Sequence, residues 1–163
     1  MKIKGLIDED FVNYKKPAMI IEFPYCTFKC DKECGQPICQ NSSLIKEPNI
    51  EIDYDDLIIR YLKNPITEAI IFQGLEPFDS IADVTNLILW FREKYNCLDD
   101  IVIYTGYKEE EIKTFIEYCQ QFENIIIKFG RYIPNQKPHF DEVLGVNLSS
   151  NNQYAKKLIK GVI

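Results

Sequence analysis

Residues 19–44 read MIIEFPYCTFKCDKECGQPICQNSSL, and the rest of the chain is arranged around them. The first five have the length and composition of a buried strand, and Pro24 stops it. Four of the six cysteines, Cys26, Cys30, Cys34 and Cys39, then fall within fourteen residues. The thiols therefore sit on a loop at a strand end, where parallel α/β sheets place their chemistry. Clustered thiolates point to a soft metal, either zinc or iron-sulfur.

Outward from this loop, short apolar runs alternate with helical patterns. Residues 1–16 are mixed and charged and predict an irregular lead-in or a short edge strand, followed by a core strand at 17–23. Pro24, Gly35 and Pro37 predict no regular structure in the cysteine loop, 24–45. From Asp53 the period becomes 3.6, with Tyr54, Leu57, Ile58, Tyr61 and Leu62 on one face and Pro65 beyond the end, which predicts a helix. EAIIFQG (68–74) predicts a second strand, broken by Gly74 and Pro77. A helix is expected over 79–95, with Ile81, Val84, Leu87, Ile88 and Phe91 inward, then a strand at 101–106. A helix at 108–122 follows, its three glutamates, Glu109, Glu110 and Glu111, forming a solvated start. NIIIKFG (124–130) predicts a fourth strand, 131–150 mostly loop, and 152–160 a last amphipathic helix burying Tyr154, Leu158 and Ile159. Strict alternation implies a parallel sheet with right-handed crossovers, and 163 residues suit one α/β domain spanning 1–163.

The formal net charge of −6 argues against a nucleic-acid or anionic-membrane surface, since both need clustered Lys and Arg. The N-terminal MKIKGLIDEDF carries acids where a secretory signal needs an apolar core, and no stretch reaches the roughly 18–20 apolar residues of a membrane span. A cytoplasmic location is expected. In that reducing compartment dense cysteines are explained by metal or catalysis rather than disulfides.

Counting ligands separates three metal readings. Four cysteines on one zinc make a closed structural site, and four on an iron-sulfur cluster make an electron carrier. Three on a four-iron cluster leave one iron open to chelate a substrate. Zinc ribbons usually show two close CxxC pairs, which this loop lacks.

Four segments in order resemble the radical S-adenosylmethionine enzymes, and among them the anaerobic ribonucleoside-triphosphate reductase activating proteins. Cys26 and Cys30 stand three residues apart, as that family's first two cluster cysteines do. Cys39-Gln40-Asn41-Ser42-Ser43 is similar to its third cysteine and the polar run after it, and Gln73-Gly74-Leu75-Glu76-Pro77 to its Gly-Gly-Glu/Asp-Pro motif. Tyr104-Thr105-Gly106-Tyr107 resembles a segment typical of the activating proteins. The chain departs from the family's CxxxCxxC pattern: eight residues separate Cys30 from Cys39, and three separate it from Cys34. Cys39 is the favoured third ligand, because Ile38 before it matches the apolar residue the family places near the adenine, and Cys34 is the alternative.

The resemblance implies a partial (β/α) barrel with a [4Fe-4S] cluster on Cys26, Cys30 and Cys39 and S-adenosylmethionine near Ile38, Gly74, Leu75, Glu76, Thr105 and Gly106. It implies reductive cleavage to a 5'-deoxyadenosyl radical, which takes a hydrogen from a glycine of a large reductase subunit, with no protein acid or base. A flavodoxin- or ferredoxin-type electron donor is implied as well. Other readings are a radical enzyme acting on another peptide or small molecule, and a zinc or electron-transfer module. Cys119 is expected in the core, Cys97 in a helix-to-strand connection, and His139 and Arg131 at the surface.

Overall fold

The computed structural model describes residues 1–161. In chain order its strands and helices are β1 (Lys2–Ile3), β2 (Gly5–Asp10), β3 (Ala18–Phe23), α1 (Lys29–Cys34), β4 (Ile50–Glu51), α2 (Tyr54–Lys63), β5 (Ala69–Gly74), α3 (Ile81–Leu89), β6 (Asp100–Tyr104), α4 (Lys113–Cys119), β7 (Ile125–Phe129), β8 (His139–Asp141), β9 (Val146–Leu148) and β10 (Tyr154–Lys157). The main sheet has six strands in the order β10-β7-β6-β5-β3-β2. Its central four, β3, β5, β6 and β7, are parallel. Both edges, β2 and β10, run antiparallel to their neighbours. The expected parallel sheet is thus found at the centre and fails at the margins. The sheet is open, and its strands do not close into a barrel among the described residues.

Alternation along the central strands separates two apolar layers. Met19, Ile21, Phe23, Ile70, Phe72, Ile101, Ile103, Ile125, Ile127 and Phe129 pack with Leu57, Ile58, Val84, Leu87, Ile88, Phe91, Phe115 and Cys119 of the helical segments. Ala18, Ile20, Ala69, Ile71, Val102 and Ile126 face the other way, against Tyr14, Leu144, Leu148 and Ala155. The crossover helices α2, α3 and α4 therefore cover one face. The other is roofed by the segment 11–16 and the β8–β9 hairpin, which Lys15 N joins to Leu144 O at 2.8 Å.

Three expectations fail for identifiable reasons. The cysteine loop contains a helix, α1, because Gly35 (φ 69°) acts as a left-handed terminator of the preceding turn. The terminal helix expected at 152–160 is instead β10: Tyr154–Lys157 satisfies the ladder groups that β7 would otherwise leave open. Leu158 is buried there, but Tyr154 is partly exposed and Ile159 largely so. The stretch 131–150 is mostly loop, as expected, and carries the short β8–β9 hairpin. Finally, Leu62 and Ile81, expected inside, are exposed at 45% and 49%. Each lies at the margin of an apolar stripe that is narrower than its sequence pattern.

Candidate metal centre

The carboxyl ends of β3, β5, β6 and β7 converge, and the loops leaving them build the site. Leu75 N donates to Phe23 O at 3.4 Å and Glu76 N to Tyr25 O at 2.8 Å, so the exits of β3 and β5 are stitched together. Gly74 has φ 94°, and a Cβ there would lie 2.8 Å from Glu22 Cα. Only glycine lets the two strands run this close.

Beyond Pro24 the chain reaches Cys26, whose sulfur accepts from Phe28 N at 3.2 Å. Thr27 N donates to Asp79 at 2.6 Å, and Asp79 also accepts from the Tyr107 hydroxyl at 2.6 Å. Phe28, at φ 52°, turns the chain into α1, which carries Cys30 half-buried and Cys34 exposed. Asp31 Oδ1 then accepts from Ile38 N at 2.9 Å and Cys39 N at 2.8 Å. That carboxylate folds the eight-residue segment back on itself and returns Cys39 to the neighbourhood of Cys30. Asn41 Nδ2, donating to Gly74 O at 2.7 Å, ties the far side of the loop to the end of β5.

Cys26, Cys30 and Cys39 consequently line one cavity of about 860 Å³, together with Gly74, Leu75, Glu76, Thr105 and Gly106. Cys34 lines a separate cavity of about 450 Å³ on the other side of Cys30. Ile38 sits half-buried beside Cys39 but is not among the residues lining the larger cavity. The Glu76 side chain is buried, and it accepts from Thr105 Oγ1 (2.7 Å), Gly106 N (2.9 Å) and Phe78 N (3.1 Å). It braces the ends of β5 and β6, and burial pushes its pKa up to about 7 against those three donors. The Thr105 hydroxyl is engaged in turn, donating to Glu76 and accepting from Tyr107 N at 2.9 Å.

Burial pushes the Cys26 thiol up to about 12 and raises Cys30 and Cys39 as well. As bare thiols they favour the protonated form, and binding of a metal, which requires thiolates, would reverse this. The donor set fits an iron-sulfur cluster: three sulfurs on one cavity wall can each take a different iron. A single zinc draws its ligands to about 2.0–2.3 Å. Among the described residues no three Cys, His, Asp or Glu side chains are already drawn together around a metal ion of either kind.

Three parts of the site are invisible in the sequence reading. Asp31 was one charge among several in a polar loop. Lys128, the only charged residue in the apolar run of β7, is 7% exposed and faces the cavity with its ammonium on Gly130 O at 3.0 Å. Its interruption of an otherwise continuous apolar strand was the available signal. Arg131, expected at the surface, is 4% exposed and forms a two-pronged pair with Glu111 at 2.7 and 2.8 Å. Glu110 and Glu111 are exposed and Glu109 partly so, as a solvated start requires, but Glu111 and Glu109 are also ion-paired, Glu109 with Lys156 at 2.5 Å. Cys119 is fully buried and Cys97 nearly so, as expected.

No helix among the described residues is long and apolar enough to cross a membrane. Searches among curated proteins and among solved structures returned no match. Residues 19–155 match the family model described as a 4Fe-4S single cluster domain, and this match takes in the cysteine loop and every central strand. With most of its length covered, and with three thiols gathered at the mouth of its sheet, this chain belongs to the 4Fe-4S single cluster domain family.

Proposed function

We propose that the chain is a radical S-adenosylmethionine enzyme, and more narrowly an activating protein that installs a glycyl radical on a large anaerobic ribonucleotide reductase. One observation carries this reading: Cys26, Cys30 and Cys39, but not Cys34, share a cavity with the strand-end residues Gly74, Leu75, Glu76, Thr105 and Gly106. These three thiolates would hold a [4Fe-4S] cluster and leave one iron for the methionine end of S-adenosylmethionine. When bound, the two groups supply reductive cleavage of the sulfonium and a 5'-deoxyadenosyl radical able to take a hydrogen atom.

The chain's own residues bind, orient and exclude water. Lys128 lines the same cavity and supplies a buried positive charge for a carboxylate, its pKa brought down to about 8 by burial. The Gly74 turn exposes backbone without a side chain in the way, and Tyr104 and Tyr132 wall the cavity. No side chain is assigned as acid or base. The one-sided layer of crossover helices is the arrangement of a (β/α) barrel segment, which supports a partial barrel. At the cavity rim Phe11, Val12 and Phe140 are 63%, 74% and 54% exposed, an apolar margin suited to a macromolecular substrate that brings its own glycine. Electrons would come from a flavodoxin- or ferredoxin-type donor.

Anaerobic reconstitution is the test. The protein should turn brown and, with dithionite, convert S-adenosylmethionine to 5'-deoxyadenosine. Cys34→Ala should keep that activity, and Ala at Cys26, Cys30 or Cys39 should abolish it. Zinc binding without 5'-deoxyadenosine would overturn the radical reading. Cleavage without radical transfer to a co-purified reductase would leave the enzyme class intact and overturn the narrower assignment.

A further inference from the structure

The helix that carries Cys30 is too short to hold itself in place. It has six residues, buries none of them and has no side-chain cap at its start. An isolated helix of that length does not persist in water. Lys29 and Glu33 flank Cys30 at i, i+4 spacing and share a face. Both reach the same pair of side chains outside the helix. Lys29 Nζ lies 3.3 Å from Glu111 Oε1 and 4.0 Å from the centre of the Tyr107 ring. Glu33 Oε1 lies 3.3 Å from Arg131 Nε, while both terminal nitrogens of Arg131 are occupied by Glu111. Gly106 lies between the two: a Cβ built on it would be 3.4 Å from Cys30 Sγ and 3.6 Å from Arg131 Cγ.

We propose that Arg131 is a positioning residue that holds the Cys30 sulfur in register with those of Cys26 and Cys39: it pairs with Glu33 itself and fixes Glu111, which in turn pairs with Lys29. The inference rests on Cys30 being a cluster ligand. Exposed ion pairs usually contribute little, and the two that reach the helix are single contacts through Lys29 and Glu33, but both are anchored on a guanidinium that is buried and held by Glu111 in a planar fork. The arrangement also has an electrostatic consequence. Lys29 and Arg131 balance Glu33 and Glu111, so the cluster would sit beside a neutral quartet. Removing one charge from it shifts the potential at which the cluster accepts an electron, with a sign that follows the charge removed.

Arg131→Met and Arg131→Lys, reconstituted anaerobically and followed by electron paramagnetic resonance during a redox titration, test both parts. Arg131→Met leaves a net negative charge and should lower the midpoint potential. In the metal-free protein it should also speed alkylation of Cys30 by up to about fivefold when rates are compared at equal thiolate fraction, with the already exposed Cys34 as internal reference. Arg131→Lys should restore the potential without restoring protection, because it keeps the charge and loses the fork. Wild-type potential and wild-type Cys30 protection in Arg131→Met would overturn the proposal. Should Arg131→Met fail to fold, Lys29→Met and Glu33→Gln replace it at accessible positions. They should shift the potential in opposite directions and both expose Cys30, and equal shifts or none would overturn it. Failure of the ligand assignment has its own signature: Cys30→Ala would bind a full complement of iron, leaving the clamp no ligand to position.

Discussion

Asp31→Ala asks whether one carboxylate holds the third cysteine in place across an eight-residue excursion. Its Oδ1 receives the backbone N–H groups of Ile38 and Cys39 at 2.9 and 2.8 Å. Hydrogen bonds to a charged acceptor contribute ~1.5–3 kcal/mol each when sheltered from water. Asp31, Ile38 and Cys39 are only half-buried, so the pair is taken as ~2 kcal/mol together. At ~1.4 kcal/mol per decade, that is about a thirtyfold rise in the fraction of molecules whose Cys39 has swung away. The rest of the fold should not notice, because neither α1 nor the turn at Ser42–Lys46 buries a residue. The assay is maleimide labelling of the metal-free protein with peptide mapping, in which Cys39 should react up to about thirtyfold faster while the melting temperature holds. The reconstituted variant should surrender iron to a chelator correspondingly faster. Asp31→Asn should fall between, since its amide oxygen still accepts but carries no charge. If Asp31→Ala labels Cys39 and releases iron at the wild-type rates, the carboxylate does not place the ligand and the explanation of the long spacing is wrong.

Three further outcomes follow from the fold. Arg92 is buried and donates to the carbonyls of Cys97, Asp99, Glu123 and Asn124 at 2.6–3.3 Å. Arg92→Met should cost ~3 kcal/mol in chemical denaturation by stranding those acceptors, and a cost below ~1 kcal/mol would show that they find other partners. Gly74→Ala adds a Cβ 2.8 Å from Glu22 Cα at φ 94°, and should destabilise the protein by ~2–4 kcal/mol; a near-neutral melt would mean that β3 and β5 can move apart. The hydrogen bonds from Arg131 bring Glu111 down from its ordinary 4.5 to about 2. The folded state therefore binds fewer protons than the unfolded one in that interval, so stability from this pair is whole above about pH 5 and lost as pH falls towards 2. Glu111→Gln should flatten the acid limb of the stability curve of the metal-free protein, and a limb of unchanged steepness would contradict the pairing.

The central strands were legible because each is a short apolar run bounded by Pro, Gly or polar residues, and burial on both faces leaves no alternation to misread. The cysteine loop was legible by thiol density alone. Residues 154–157 were misread because four residues are too few for a period to separate helix from strand, and the unsatisfied edge of β7 decided the matter. Arg131 looked like a solvent-facing charge because its partner lies far along the chain: Glu111 and Arg131 are twenty residues apart, and Lys29 and Glu111 eighty-two.

The sequence by itself determined the α/β alternation, the thiol-rich loop at the first core strand and the short list of cysteines that can bind metal. Those properties are local: they depend on residue type and on spacing within a turn or a strand. Only the tertiary structure decided which cysteines share a cavity, bringing Cys39 round to the one that Cys26 and Cys30 line while Cys34 lines another. It also turned both sheet edges antiparallel and placed Lys128 and Arg131 inside. These depend on contacts between segments distant in sequence, where a single carboxylate on Asp31 outweighs the spacing between cysteines.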